Sequence, residues 1–135
     1  MASYATESIR AVALVGHGGS GKTSLAEALL FRAGAIPAKG TVEKGSTVCD
    51  FDPQEKTAGH SLNSALVNFA AEGVHIHLVD APGYPDFAGQ AFAALAGVDT
   101  AMIVINAQTG IELMTERMMR AARQRGLARM IVINK

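Results

Sequence analysis

Apolar positions along the chain alternate between short β-type runs and longer stretches at helical spacing, which predicts an α/β layered fold with a mainly parallel sheet. Residues 11–15 read as a buried strand ending at a glycine cluster. Residues 22–33 follow as a helix closed by Gly34, with Leu25, Ala28 and Leu29 toward the sheet. Residues 62–71 and 74–79, separated only by Glu72 and Gly73, predict a hairpin that adds one antiparallel edge strand. Phe87, Ala91, Ala94 and Leu95 recur at helical spacing before a buried strand over 100–105. Ile111, Met114, Met118, Ala121 and Ala122 mark a further helix ending near Gly126, and residues 130–133 begin another strand.

Between Gly34 and about Gly59 the periodicity disappears and Pro37, Gly40, Gly45, Asp50, Asp52 and Pro53 make the chain polar. A loop of that length within a compact domain is functional or mobile.

With 135 residues, the chain has room for one domain and one core. Twelve basic and twelve acidic residues cancel, so net charge implies neither a polyanion partner such as DNA nor an acidic membrane surface; a bound anion has to be held by a local site. Cys49 is the single cysteine, which rules out an internal disulfide and fits a reducing compartment. Residues 1–10 lack a basic start followed by a long apolar stretch, and no apolar run approaches the roughly 20 residues that cross a bilayer, so a soluble cytoplasmic protein is expected. There is no internal repeat and no low-complexity tract.

Gly16, His17, Gly18, Gly19, Ser20, Gly21, Lys22 and Thr23 spell G-x-x-x-x-G-K-T between a predicted strand and a predicted helix, the context in which this pattern binds phosphates. Glycines let backbone N–H groups converge on phosphate oxygens, and the helix start adds its positive dipole end. Lys22 is placed to reach the β and γ phosphates and Thr23 to bind Mg2+. Asp80, Ala81, Pro82 and Gly83 follow a strand whose C-terminal end shares the same rim of the sheet. There Asp80 can hold Mg2+ through its water shell and the Gly83 N–H can meet the γ phosphate. His75 and His77 alternate onto one strand face and read as exposed or partly covered positions rather than ligands, since no third ligand is evident.

The phosphate loop, D-A-P-G at 80–83 and Asn134-Lys135 together resemble the G-domain motifs of GTPases, in which N-K-x-D reads guanine. Within that group, G-H-G-G-S-G-K-T, E-K-G-S-T-V-C-D-F-D-P-Q-E and D-A-P-G-Y-P-D-F resemble elongation factor G and its relatives, a likeness that runs from Ile9 to Lys135. The resemblance implies a three-layer P-loop fold and a partial GTP-binding domain over 1–135, cut before the final strand and helices, with one sheet edge and part of one face left open. It implies a phosphate loop at 16–23, switch I at about 36–61, switch II at about 80–90, GTP or GDP with Mg2+, and a monomeric parent acting on the ribosome.

By the same resemblance, Ser61 stands where the family carries its Mg2+-binding threonine, and Tyr84 where it carries the histidine that positions the attacking water. Gly18 and His60 occupy two apolar gate positions, and Gly19 replaces an aspartate associated with monovalent-cation assistance. These departures bear on rate and ribosome response rather than on nucleotide binding. They point to an elongation factor G-like side branch, with Lys22, Tyr84 and His60 as the candidate catalytic residues. The Tyr84 hydroxyl is one means of orienting the water, although a phenol is a poor base. A GTP-dependent binding module with negligible hydrolysis and an ATP-using P-loop enzyme stay open as alternatives. The arginines at 117, 120, 123, 125 and 129 read as a solvated helix face, interspersed with Glu112 and Glu116, in which Glu116 can pair with Arg120.

Overall fold

A computed structural model describes residues 4–135; of the stretch 1–10 read above as having no leader character, the first three lie outside the described residues. Five strands form one sheet in the order β2-β3-β1-β4-β5: β1 (Ile9–Val15), β2 (Ala65–Ala71), β3 (Val74–Asp80), β4 (Thr100–Asn106) and β5 (Ala128–Asn134). β1 runs parallel to β3 and β4, and β4 to β5, while β2 and β3 pair antiparallel. Glu72 and Gly73 both take positive φ, 49° and 80°, the left-handed pair that a two-residue hairpin turn requires.

Helices cover both faces. α1 (Lys22–Arg32) packs Ala26 and Leu30 against Val12, Leu14, Leu78 and Val104, while α3 (Ala88–Ala96) and α4 (Leu113–Gln124) pack Leu95, Met114 and Met118 against Ala13, Val15 and Ile103 on the other side. The inward face of α1 differs from the sequence reading. Glu27 is fully buried and turns the buried stripe to Ala26, Glu27 and Leu30; Leu25 and Leu29 sit at its margin, and Ala28 is outside the core cluster.

The parallel register aligns strand ends. Leu14 lies opposite both Asp80 and Met102, and Asn106 opposite Asn134, so the loop after β1, the carboxylate ending β3 and the amide ending β5 emerge on one rim.

Three other expectations are corrected. The polar loop contains a short helix, α2 (Pro53–Ala58), started by a capping box in which Asp52 accepts from the Gln54 N–H and Glu55 from the Asp52 N–H. Ile111 precedes α4 and is exposed, because the helix starts only after Glu112. The Glu116–Arg120 pair does not form: among the described residues the one charged-pair contact joins His17 and Glu112. β5 presents Met130, Ile131 and Ile133 to solvent along the sheet edge.

Candidate functional site

The turn from β1 into α1 is built from its glycines. Gly21, at φ +87°, is the residue before the first helical turn, and a side chain there would overlap the Asn134 amide. No side chain caps the helix start, so its backbone donors remain directed at the cleft above it. The Lys22 ammonium folds back over the loop and donates to the carbonyls of His17 (2.8 Å) and Gly16 (3.3 Å). Burial pushes its pKa down to about 8 against the pull of Asp80.

Beside it, Thr23 Oγ1 donates to Asp80 Oδ2 at 2.7 Å and lies 3.2 Å from Ser61 Oγ. The other Asp80 oxygen, Oδ1, is buried without a partner. Burial raises the pKa of this carboxyl to about 6, with the Thr23 bond and Lys22 opposing the rise and Asp50 and Glu55 adding to it. An orphaned buried carboxylate oxygen beside two hydroxyls fits a small hard cation. Among the described residues no three acidic, histidine or cysteine side chains form a cage, so the cation would complete its shell from water and phosphate.

Three further carboxylates brace the loop that carries Ser61. Asp50 accepts from Ser61 Oγ and Thr47 Oγ1, both at 2.8 Å. Glu27 accepts from the backbone N–H groups of Gly40 and Val48. Glu55, besides closing the α2 cap, accepts from Leu62 and Asn63, each at 2.9 Å. Sequence reasoning singled out none of the three for the site. Only Glu55 carried a signal, as the fourth residue of Asp52-Pro53-Gln54-Glu55.

The far wall of the cleft is aromatic. The Tyr84 ring lies over Gly18, where an added Cβ would come within 2.8–3.0 Å of three ring carbons. His60 packs on Tyr84 with ring centroids 4.5 Å apart, and Phe87 is 6.1 Å from His60. Gly83 is pressed against Lys22 and the backbone of His17 and Gly18, leaving no space for a side chain.

Of the residues proposed from sequence, Gly18, Gly19, Gly21, Lys22, Thr23, His60, Ser61, Ala81, Gly83, Tyr84 and Lys135 line one cleft. Gly16, Ser20, Asp80, Pro82 and Asn134 support it from behind: Ser20 Oγ donates to the His17 carbonyl, and Asn134 Nδ2 to the carbonyls of Ser20 (3.0 Å) and Gly21 (3.4 Å). The side chain of His17 turns away from the cleft. Its Nδ1 lies 3.1 Å from Thr115 Oγ1 and its Nε2 3.2 Å from Glu112 Oε1, and burial lowers its pKa despite Glu112. Only the main chain of His17 is left to face a ligand.

His75 and His77 contact each other edge to face on β3, and Tyr4 stacks on His75.

Residues 7–135 match the family described as the elongation factor Tu GTP binding domain. An elongation factor G-like protein of Mycobacterium tuberculosis (strain CDC 1551 / Oshkosh) is 42% identical over 127 residues, 94% of this chain and 18% of that protein. The mitochondrial ribosome-releasing factor 2 of Schizosaccharomyces pombe is 35% identical over 128 residues, covering 95% of this chain and 16% of its own length. A crystal structure from Thermus thermophilus superposes with a TM-score of 0.90 at 42% identity, over 93% of this chain and 19% of that one. The chain thus spans under a fifth of the length of these relatives.

Proposed function

The chain belongs to the family of elongation factor Tu GTP-binding domains, and from that membership we propose that it is the nucleotide-binding part of an elongation factor G-like translational GTPase. The parent would hydrolyse GTP on the ribosome to drive translocation or ribosome disassembly, as a monomer in the cytoplasm without DNA or membrane partners. The observation that carries the reading is that Lys22, Thr23 and Ser61 line one cleft with the phosphate-loop glycines, while Asp80, behind it, accepts from Thr23 and has Oδ1 left unpartnered.

In this reading the Lys22 ammonium leaves the carbonyls of Gly16 and His17 for the β and γ phosphates, and the loop's N–H groups take the remaining oxygens. Thr23, Ser61 and Asp80 would hold Mg2+, and the bound ion would supply charge neutralisation for phosphoryl transfer. The Gly83 N–H meets the γ phosphate, so switch I, through Ser61, and switch II, through Gly83, answer to the same group. Asn134 and Lys135 stand where a guanine base would be read, and Asn134 also ties β5 to the phosphate loop.

Phosphate release by the full-length protein with ribosomes, Mg2+ and GTP, compared with a Lys22→Ala control, tests the proposal. Equal release from both sinks it. A binding module that holds GTP without hydrolysing it is the second reading, favoured by the exposed phenol at Tyr84 in place of a base. Single-turnover hydrolysis separates the two.

A further inference from the structure

The groups around the cleft differ in what they have left to offer a water molecule. Lys22 is a donor with no lone pair while charged, both oxygens of Asp50 already accept hydroxyl hydrogens, and Asp80 shares one oxygen with Thr23 and buries the other. Of the other acceptors lining the cleft, Glu43 is an exposed carboxylate, while Tyr84 and His60 stand together on the wall beside Gly18 and Gly83.

The imidazole has a defined orientation. His60 Nδ1 faces the carbonyl oxygen of Ser61 at 3.4 Å. In the neutral ring, a hydrogen on Nδ1 meets that carbonyl and leaves Nε2 free to accept. The ring is held against Tyr84, and Tyr84 in turn occupies space that exists only because position 18 has no side chain. Gly18, Tyr84 and His60 therefore form one interlocked set drawn from the phosphate loop and both switch segments.

We propose that His60 orients the attacking water by accepting its hydrogen bond at Nε2, and that Tyr84 is a positioning residue that holds the imidazole. This deepens the hydrolysis reading and rests on it. The water oxygen bonds to the γ phosphorus as the bond to the bridging oxygen breaks, its electron pair leaving on GDP; the water's proton ends on the released phosphate, and His60 supplies orientation only.

The test uses the full-length protein with ribosomes, Mg2+ and GTP in single-turnover reactions, with GTP affinity measured in parallel. His60→Ala lowers the hydrolysis rate on the order of 100-fold and leaves affinity in place, a loss in rate constant rather than in binding. His60→Gln, which keeps an acceptor, retains more of the rate than His60→Ala, and added imidazole partly restores His60→Ala. Tyr84→Phe, which keeps the ring packed on His60, loses less rate than Tyr84→Ala. Nitrogen-15 spectra of the imidazole show hydrogen on Nδ1. A His60→Ala rate equal to wild type, a Tyr84→Phe loss as large as that of His60→Ala, or hydrogen on Nε2 overturns the assignment. If His60→Ala fails to bind GTP, the glutamine variant and the ring spectra decide. Failure of the wild type itself to bind or hydrolyse GTP sinks the parent reading instead.

Discussion

Asn134, at the end of β5, donates its amide to the Ser20 carbonyl across 114 residues of sequence, at 3.0 Å. The same amide blocks any side chain at Gly21, so the residue proposed to read guanine also clamps the turn into α1. Asn134→Ala removes the clamp at a cost of about 1 kcal/mol. Amide hydrogen exchange in residues 18–23 of the full-length protein should accelerate several-fold, and nucleotide affinity should fall for both GTP and ATP. Loss of guanine preference alone, with exchange unchanged, would assign Asn134 to base reading only.

Glu27 predicts a second coupling. Its carboxylate is fully buried and satisfies the N–H groups of Gly40 and Val48, so Glu27→Ala strands two donors and opens a cavity, destabilising the loop by about 3 kcal/mol. Glutamine is only a partial remedy, because its NH2 must face one of those N–H groups. Exchange at residues 40 and 48 should rise in the order wild type, Gln, Ala; equal protection in all three would refute the brace.

Lys22 sets a pH dependence. Folding lowers its pKa from the ordinary lysine value of 10.5 to about 8, chiefly by burial. The charged ammonium therefore costs stability below about pH 8, and the cost disappears as the pH rises past the ordinary lysine value. Phosphates favour the charged form, so GTP affinity should be level at pH 7, fall above about pH 8, and be accompanied by proton uptake near pH 8.5. Calorimetry at that pH in buffers of different ionisation enthalpy measures the uptake; buffer-independent heats would contradict it.

Gly18→Ala should displace the Tyr84 ring. The backbone there needs no left-handed φ, so the strain comes from the ring alone, and Tyr84, 41% exposed, can swing outward. Stability should change by less than about 1 kcal/mol, while single-turnover hydrolysis slows with that of His60→Ala. A Gly18→Ala enzyme as fast as wild type would mean that the interlock has no part in the rate.

The strands and long helices were legible because their punctuation is local: Gly34 and Gly126 close α1 and α4 with φ of 71° and 69°, and Glu72-Gly73 turns the hairpin. The phosphate loop and D-A-P-G were legible because each is contiguous. The buried face of α1 was misread because a glutamate counts as a surface residue until its partners, 13 and 21 positions away, are known. α2 was hidden because six residues are too few to show a period. Asp50 escaped notice because its place beside Ser61 and Thr47 comes from how the loop folds.

The bracing of that loop has a mechanical consequence. Asp52, Glu55, Leu62 and Asn63 bond among themselves, as do Thr47, Asp50 and Ser61. Its polar ties outward are few: Glu27 to Gly40 and Val48, and Ser61 to Thr23, with Cys49 set in the core and His60 against Tyr84. A segment stitched mainly to itself behaves as a panel on a few latches. If the proposed γ-phosphate contact unfastens those latches, the expected response is a shift of the whole panel, with its internal bonds and α2 kept, rather than its unfolding.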